Sequence, residues 1–453
     1  MPGGGRPKRS RPPSWRRDAL RTTFWVVPTV LIGVAILCFV ITFEIDIAAY
    51  HHHLTLPRWV NTGSADAGRQ VLIAIAAAII TTIGVVFSIT ILVLTLSSQQ
   101  FGPRMMRNFI RDTGNQMTLG VFVATFFYAV LGLGSITDLQ GGDFVPHLTI
   151  TVAEALLLLD LAVLVYFIHH IAKTIQLPEV IAGIALDLDR AIDAEFPSEA
   201  AVGERIRPPE QAADLIEKLD TRGAVVTAKH SGYLQFVGYG QLITIAETLD
   251  AVIRLAHRPG HFVIANRPLA TVWPFGAARQ VEEALDKAHI TGPHRTLTQD
   301  PVFAIDQLVE IAIRALSPAV NDTFTALTCI DWLSAGLSKI SSRDLKEGVY
   351  QGRSGKIRLI ESDPSYTRMV NRAFDKIRQA GYGMPAVIIR LLDALDHIAE
   401  STRSSGQIAV LVRQAEMVMR GAEAGVSEPN DLADIRGRWE RFIQTCQAVV
   451  DHS

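Results

Sequence analysis

Cysteine is almost missing from this chain: only Cys38, Cys329 and Cys446 occur. No C-x-x-C is present, so neither a disulfide framework nor a structural zinc site is expected. Catalytic signatures are missing too. There is no G-x-S-x-G and no H-E-x-x-H, so the sequence gives no ground for an intramembrane hydrolase. Gly352–Arg358 reads GRSGKIR, but the first glycine of a phosphate-binding loop would fall at Tyr350. Ile357 also stands where Ser or Thr should meet magnesium. No helical H-x-x-x-H survives: His257 and His261 have the spacing, but Pro259 and Gly260 between them make a turn. No enzyme, cofactor or metal site is therefore expected. A concentrated basic face is lacking outside the N-terminal region. Residues 173–453 carry 31 Lys+Arg against 36 Asp+Glu, which argues against nucleic acid as a partner.

What is there in quantity is uncharged apolar sequence. Val71–Leu96 runs for 26 residues without a charge. As a helix it would be about 39 Å long, more than a hydrocarbon core of roughly 30 Å. Three more such runs give spans at about 23–43, 69–96, 118–136 and 147–171. Before them, residues 1–21 hold seven basic residues and one acid, Asp18. They read as a disordered cytoplasmic arm followed by an uncleaved anchor. Arg104, Arg107 and Arg111 lie between spans 2 and 3, whereas the loop between spans 3 and 4 has Asp138 and Asp143 and no cation. The excess of cations places both termini in the cytoplasm. The expected location is the cell (plasma or inner) membrane, crossed several times. Around those arginines Phe101, Met105 and Phe109 recur every four residues. The segment is either an amphipathic helix on the inner leaflet or a plain basic turn.

Span 4 carries Glu154 and Asp160, read as the only acids well inside the bilayer. Such groups are costly there and face a bundle interior or water. Asp160 lies near mid-depth and is the stronger candidate for ion passage; the bland reading is a carboxyl bonded to a neighbouring helix. His51–His53 follow span 1, and His169 and His170 end span 4 at the inner interface. Interfacial histidine without metal is the expectation for both groups.

The rest has soluble composition. Residues 173–221 read as a helical connector with Ile181, Ile184, Leu188 and Ile192 on one face. Residues 222–275 switch to strands around Ser231–Gly232 and Pro259–Gly260, with a helix-like stretch between. The two strand halves resemble the barrel-sandwich folds of lipoyl carriers and membrane-fusion adaptors, but Lys229 is not at a hairpin tip, so no carried cofactor is expected. Residues 276–453 read as helical. Ile305, Leu308, Ala312 and Leu316 form one stripe, ended by Pro318. Asn321, Asp322 and Thr323 then open the next helix. Ser317, Asn321 and Asp322 are a candidate hinge or anion site, against a plain capping role. Four further helices are expected at 366–380, 385–402, 405–423 and 429–450.

Three stretches carry a resemblance: FSITILVLTLSSQQFGPRMMRNFIRD from Phe87, YFIHHIAKTIQ from Tyr166 and QDPVFAIDQLVEIAIRALSPAVNDTFTA from Gln299. With RPGHFV from Arg258, they resemble the bacterial predicted membrane proteins grouped as domain of unknown function 2254. The resemblance implies four spans and a cytoplasmic domain, and no established chemistry. In that family Asn-Asp is commonly followed by Pro, where this chain has Thr323. The fold expected is thus a four-span α-helical membrane domain at 22–172 followed by a cytoplasmic α+β domain. The expected function is an oligomeric channel or permeation protein for small ions. The alternative is a non-conducting scaffold or sensor that binds a cytoplasmic protein partner. Both would contact the lipid bilayer, and a homo-oligomer is the common remedy for having few spans per chain.

Overall fold

A computed structural model describes residues 25–51, 54, 57, 59–60, 63–101, 112–139, 142–174, 176–196, 205–206, 210–343, 348–361, 365–402 and 404–451. The basic arm, His52, His53, Arg104, Arg107 and Arg111 lie outside the described residues. The chain divides into two compact units, Met1–Gln176 and Leu177–Ser453.

In the first unit four helices are long and apolar enough to cross a membrane. They are α1 (Val26–Tyr50), α2 (Ala65–Phe101), α3 (Thr113–Gly134) and α4 (His147–Thr174), with a short hairpin of β1 (Thr137–Leu139) and β2 (Gly142–Phe144) before α4. Helix α3 packs on α1, α2 and α4, and Phe122, Tyr128, Thr125 and Ala129 on it are sealed from solvent. Most of the large apolar side chains that stay exposed lie on α1, α2 and α4; a helix apolar all round suits a lipid surround. Span 1 runs seven residues past the expected end at Phe43, to Tyr50. The added turns carry Asp46, which turns inward and is only 3% exposed.

The second unit begins with α5 (Leu177–Glu195). It is not a free connector: Ile181, Ile184, Leu188 and Ile192 are buried, and it packs on α9 (Pro301–Ala315) and α10 (Thr323–Ser341). Its apolar face has to be covered, and the stripes of α9 and α10 cover it. Helix α10 comes close enough to α5 that a Cβ at Gly336 would stand 2.6 Å from Leu188 Cδ2.

The β part does not close a barrel of its own. Strands β4 (Ala224–Thr227), β6 (Val252–Leu255) and β8 (Pro268–Trp273) belong to a six-stranded sheet in the order β3-β10-β11-β6-β8-β4. Its other strands come from afar: β3 (Arg205–Ile206), β10 (Val349–Gln351) and β11 (Ile357–Ile360). All neighbours are antiparallel except β11 and β6. A second, three-stranded sheet has the order β7-β5-β9, from β5 (Gly232–Val237), β7 (Phe262–Val263) and β9 (His289–Gly292). The stretch expected to be one helix up to Leu255 is α7 (Tyr239–Thr248) followed by β6. The break is at Asp250, whose φ of 44° no helix accepts. Helix α7 and α8 (Ala278–Ala288) bury Leu242, Ala246, Val281 and Leu285 against strand residues Leu234, Ile253 and Val272. The GRSGK stretch is the turn of the β10–β11 hairpin, closed by Gly352 N–H donating to the Lys356 carbonyl at 2.9 Å.

Helices α6 (Glu210–Arg222), α11 (Tyr366–Ala380), α12 (Pro385–Glu400), α13 (Ser405–Gly425) and α14 (Pro429–Asp451) complete the unit. The last four match the expected helices to within two residues at each end.

Candidate functional site

Asp160 is the 14th of the 28 residues of α4. It shares a buried face with Ile150, Ala153, Phe167 and Ile171, as spacings of three, four and seven dictate. Its side chain is 2% exposed. Among the described residues neither carboxyl oxygen has a hydrogen-bond partner; the nearby hydroxyl of Thr125 on α3 does not reach bonding geometry. Asp160 therefore sits inside the four-helix unit, not on its outer surface. Glu154 is only half-buried and lies on another face. The two acids are not brought together.

Asp46 shows what a satisfied acid looks like in the same unit. Helix α4 starts after Pro146, whose carbonyl accepts the first helical bond from Ile150 N–H at 3.0 Å. Proline has no side-chain oxygen with which to cap the free N–H groups of the first turn. Asp46 of α1 supplies the cap from across the bundle. It accepts from Leu148 N–H at 2.8 Å, Thr149 N–H at 2.9 Å and the Thr149 hydroxyl at 2.8 Å. Thr42 and Tyr128 extend the network, their hydroxyls 2.8 Å apart. Sequence reading passed over Asp46. The signal available was the uncapped start of α4, which demands an acceptor from elsewhere.

The two histidines of α4 part company. His169 is exposed. His170 Nε2 lies 2.8 Å from Asp112 Oδ2, and its ring stacks on Tyr166 at 5.5 Å between centroids. The other oxygen of Asp112 caps α3, accepting from Gly114 N–H at 2.6 Å. His170 thus fastens the end of α4 to the start of α3. Among the described residues no group of three or more His, Cys, Asp or Glu is placed to hold a metal ion.

In the second unit, Asp322 caps α10, accepting from Thr325 N–H at 3.1 Å and its hydroxyl at 2.6 Å. Asn321 takes a left-handed φ of 49°, which asparagine tolerates. The Ser317 carbonyl accepts from Val320 and Asn321 N–H, and the Ser317 hydroxyl donates to the Arg314 carbonyl. These residues form a closed turn. Lys229 is paired with Asp286 and lies 4.0 Å from Glu282.

A buried charged cluster here went unnoticed in the sequence. Arg295 grips Asp300 with Nε at 2.8 Å and Nη2 at 2.9 Å, and reaches Asp306 with Nη1 at 2.6 Å. Arg372 Nη2 closes on Asp306 at 2.8 Å. The backbone of Gly260, at φ 89°, packs so closely on the Asp300 carboxyl that any Cβ would collide with it. His261 adjoins the cluster. Burial, and then the charges of Arg368, His257, Arg258 and Arg295, push its imidazole down to about 4. Burial also pushes His289 down to about 4.

These imidazoles predict acid sensitivity. Each binds a proton more readily unfolded, near 6.5, than folded, so its contribution is complete above about pH 6.5 and falls away towards about pH 4. His289 accounts for roughly 3 kcal/mol; His261 is more exposed and adds less. Asp300, raised by burial against the pull of Arg295, works in the opposite direction at the acid end. Unfolding of the second unit at about pH 7 and about pH 4.5 should show a clear loss at the lower value. Equal stability at both would contradict this.

Comparison with known proteins fits the membrane architecture. A family model described as predicted membrane protein, domain of unknown function 2254, matches residues 21–397. An uncharacterized protein of Mycobacterium tuberculosis is 31% identical over 95% of this chain and 82% of its own length. An uncharacterized protein of Mycobacterium bovis matches to the same extent. No solved structure matches with significance.

Proposed function

Since the chain belongs to the family of predicted membrane proteins grouped as domain of unknown function 2254, we propose that it passes protons or small cations across the membrane, with Asp160 as the exchanging group. The observation that supports this is the carboxyl of Asp160, buried at the middle of α4 with no hydrogen-bond partner among the described residues. An acid in apolar surroundings costs several kcal/mol unless it holds a proton, a cation or water. Asparagine would fill the same space without that cost, so the carboxyl points to exchange. Because Asp160 lies within the protomer's unit, the path runs through each protomer and not along an axis shared by several. Assembly as a homo-oligomer, cytoplasmic termini and regulation by a cytoplasmic domain complete the proposal. The orientation is supported by the basic residues 6–21 and Arg104, Arg107 and Arg111.

The second reading is a non-conducting scaffold or sensor whose soluble unit binds a protein. It draws support from exposed aromatic side chains there, notably Phe275 at 73%. The test is flux. The purified full-length protein in liposomes, with a pH-sensitive dye inside and an imposed potassium diffusion potential, should dissipate a proton or cation gradient. Leakage no faster than in protein-free liposomes, for protons and for alkali cations alike, favours the scaffold.

A further inference from the structure

Helix α3 hides its polar side chains and shows apolar ones. Asn115, Thr118, Thr125 and Tyr128 are all at most 5% exposed, whereas Met117, Phe127 and Val130 are open. Steps of three, seven and three put the polar residues on one face. From Asn115 to Tyr128 that face runs about 20 Å along the helix axis, a large part of a hydrocarbon core of roughly 30 Å. Thr125, within this row, stands next to the carboxyl of Asp160. Both amide atoms of Asn115 lack a hydrogen-bond partner among the described residues. Polar groups inside a membrane unit are costly, and close packing alone calls for none of them.

Beyond Tyr128 the row continues through hydrogen bonds. The Tyr128 and Thr42 hydroxyls are 2.8 Å apart. Thr149 Oγ1 lies 3.3 Å from Thr42 Oγ1 and 2.8 Å from Asp46 Oδ2. A hydroxyl has one proton to give, so Thr149 donates to Asp46 or to Thr42 and not to both. Each choice sets the direction of the bonds that follow. With Thr149 donating to Asp46, Thr42 donates to Thr149 and Tyr128 to Thr42. With Asp46 protonated the order reverses, and the Tyr128 proton is turned away from Thr42. The Cys38 and Phe39 carbonyls, 3.1 and 3.0 Å from Thr42 Oγ1, are alternative acceptors for its proton.

We propose that this row carries protons, and not metal cations, between Asp46 and Asp160, with Thr149, Thr42 and Tyr128 as relay groups. The proposal rests on the reading of Asp160 as the exchanging group. In one passage Asp46 releases a proton to Thr149. Each hydroxyl oxygen in turn forms one O–H bond and breaks the one it held, and the last proton reaches Asp160. No electron moves, and every hydroxyl ends neutral. Tyr128 and Thr125 are one turn apart, about 5–6 Å between Cβ atoms, so the last link to Asp160 takes one bridging water. The cargo follows from the available ligands. A bare metal cation asks for about six or more oxygens, or for rings of carbonyls. The buried face of α4 around Asp160 brings Ile150, Ala153, Phe167 and Ile171, and α3 adds the hydroxyl of Thr125. Hydroxyls, which both give and accept, suit a proton.

The test measures proton and sodium uptake separately in liposomes holding the full-length parent or a variant. Proton flux is read by a pH-sensitive dye under a potassium diffusion potential, sodium flux by a sodium-sensitive dye. The parent should take up protons and pass sodium no faster than protein-free liposomes. Tyr128→Phe and Thr42→Val keep shape and remove one hydroxyl each. With size-exclusion profiles like the parent's, both should lower proton flux at least about tenfold. Thr42→Ser, which keeps the hydroxyl, should retain most of the flux. Parent-like proton flux in Tyr128→Phe and Thr42→Val, with Asp160→Asn inactive, would overturn the relay and leave Asp160 in its role. Equal losses in Thr42→Ser and Thr42→Val would also overturn it, because packing and not the hydroxyl would then be what matters. Sodium flux through the parent would overturn the proton as cargo. No flux of either ion through the parent would remove the reading of Asp160, and the relay with it.

Discussion

Asp306→Ala is expected to lower the unfolding temperature of the second unit by on the order of 10 °C. Asp306, on α9, is only 9% exposed. It is held by two guanidinium groups, Arg295 at 2.6 Å and Arg372 at 2.8 Å. With Asp300 also on Arg295, two cations are balanced by two anions. Removing Asp306 leaves the balance at one buried positive charge, and breaking a buried pair from one side costs about 3–5 kcal/mol. The side chain of Arg372 is 42% exposed, so water recovers part of its share; Arg295, at 15%, has no such outlet. Asp306→Asn should be nearly as damaging, because shape is kept and charge is lost. Adding Arg372→Gln to Asp306→Asn should restore part of the loss. Thermal unfolding of the full chain in detergent checks all three, and a change of less than about 1 kcal/mol for Asp306→Ala would show that the cluster carries little stability.

Asp46→Ala should loosen the membrane unit. The substitution leaves Leu148 N–H and Thr149 N–H without their acceptor, while the Thr149 hydroxyl keeps only Thr42, at 3.3 Å. Each orphaned group costs about 1–3 kcal/mol, so a total of at least about 2 kcal/mol is expected. Tyr128→Phe, which removes one hydroxyl at the edge of the network, should cost only about 1 kcal/mol. Unfolding in mixed micelles with rising dodecyl sulfate, followed by circular dichroism, gives the order of the three proteins. If Asp46→Ala unfolds no earlier than Tyr128→Phe, the start of α4 is not capped from α1.

The two replacements fall on residues that local patterns do not reveal, and the reason is the same for both. Membrane helices were legible because 26 uncharged residues have few other uses, and the last four helices because Gly381, Ser404 and Pro429 punctuate them. Each of those signals is contained in one window. Asp46 takes its role from Leu148 and Thr149, about a hundred residues away. The strands of 222–275 looked like a separate barrel because nothing in them shows that β11, at 357–360, will pair in parallel with β6. Asp160 could be singled out by depth alone. That it lacks a partner depends on the rotation of α3 and α4 about their axes, which a sequence does not print. The capping residues at 321–322 were legible, since Asn-Asp before an apolar stripe is a local signal.

The most direct measurement is proton and cation flux into liposomes carrying equal amounts of the parent protein and of Asp160→Asn, each first shown to assemble alike by size-exclusion chromatography. Asn keeps the volume at the centre of α4 and removes the group that can take up and release an ion. The parent should conduct, and Asp160→Asn should lose most of the flux or change which ion is carried, while Asp160→Glu retains part of it. Equal flux and selectivity in the parent and in Asp160→Asn would contradict the role assigned to Asp160.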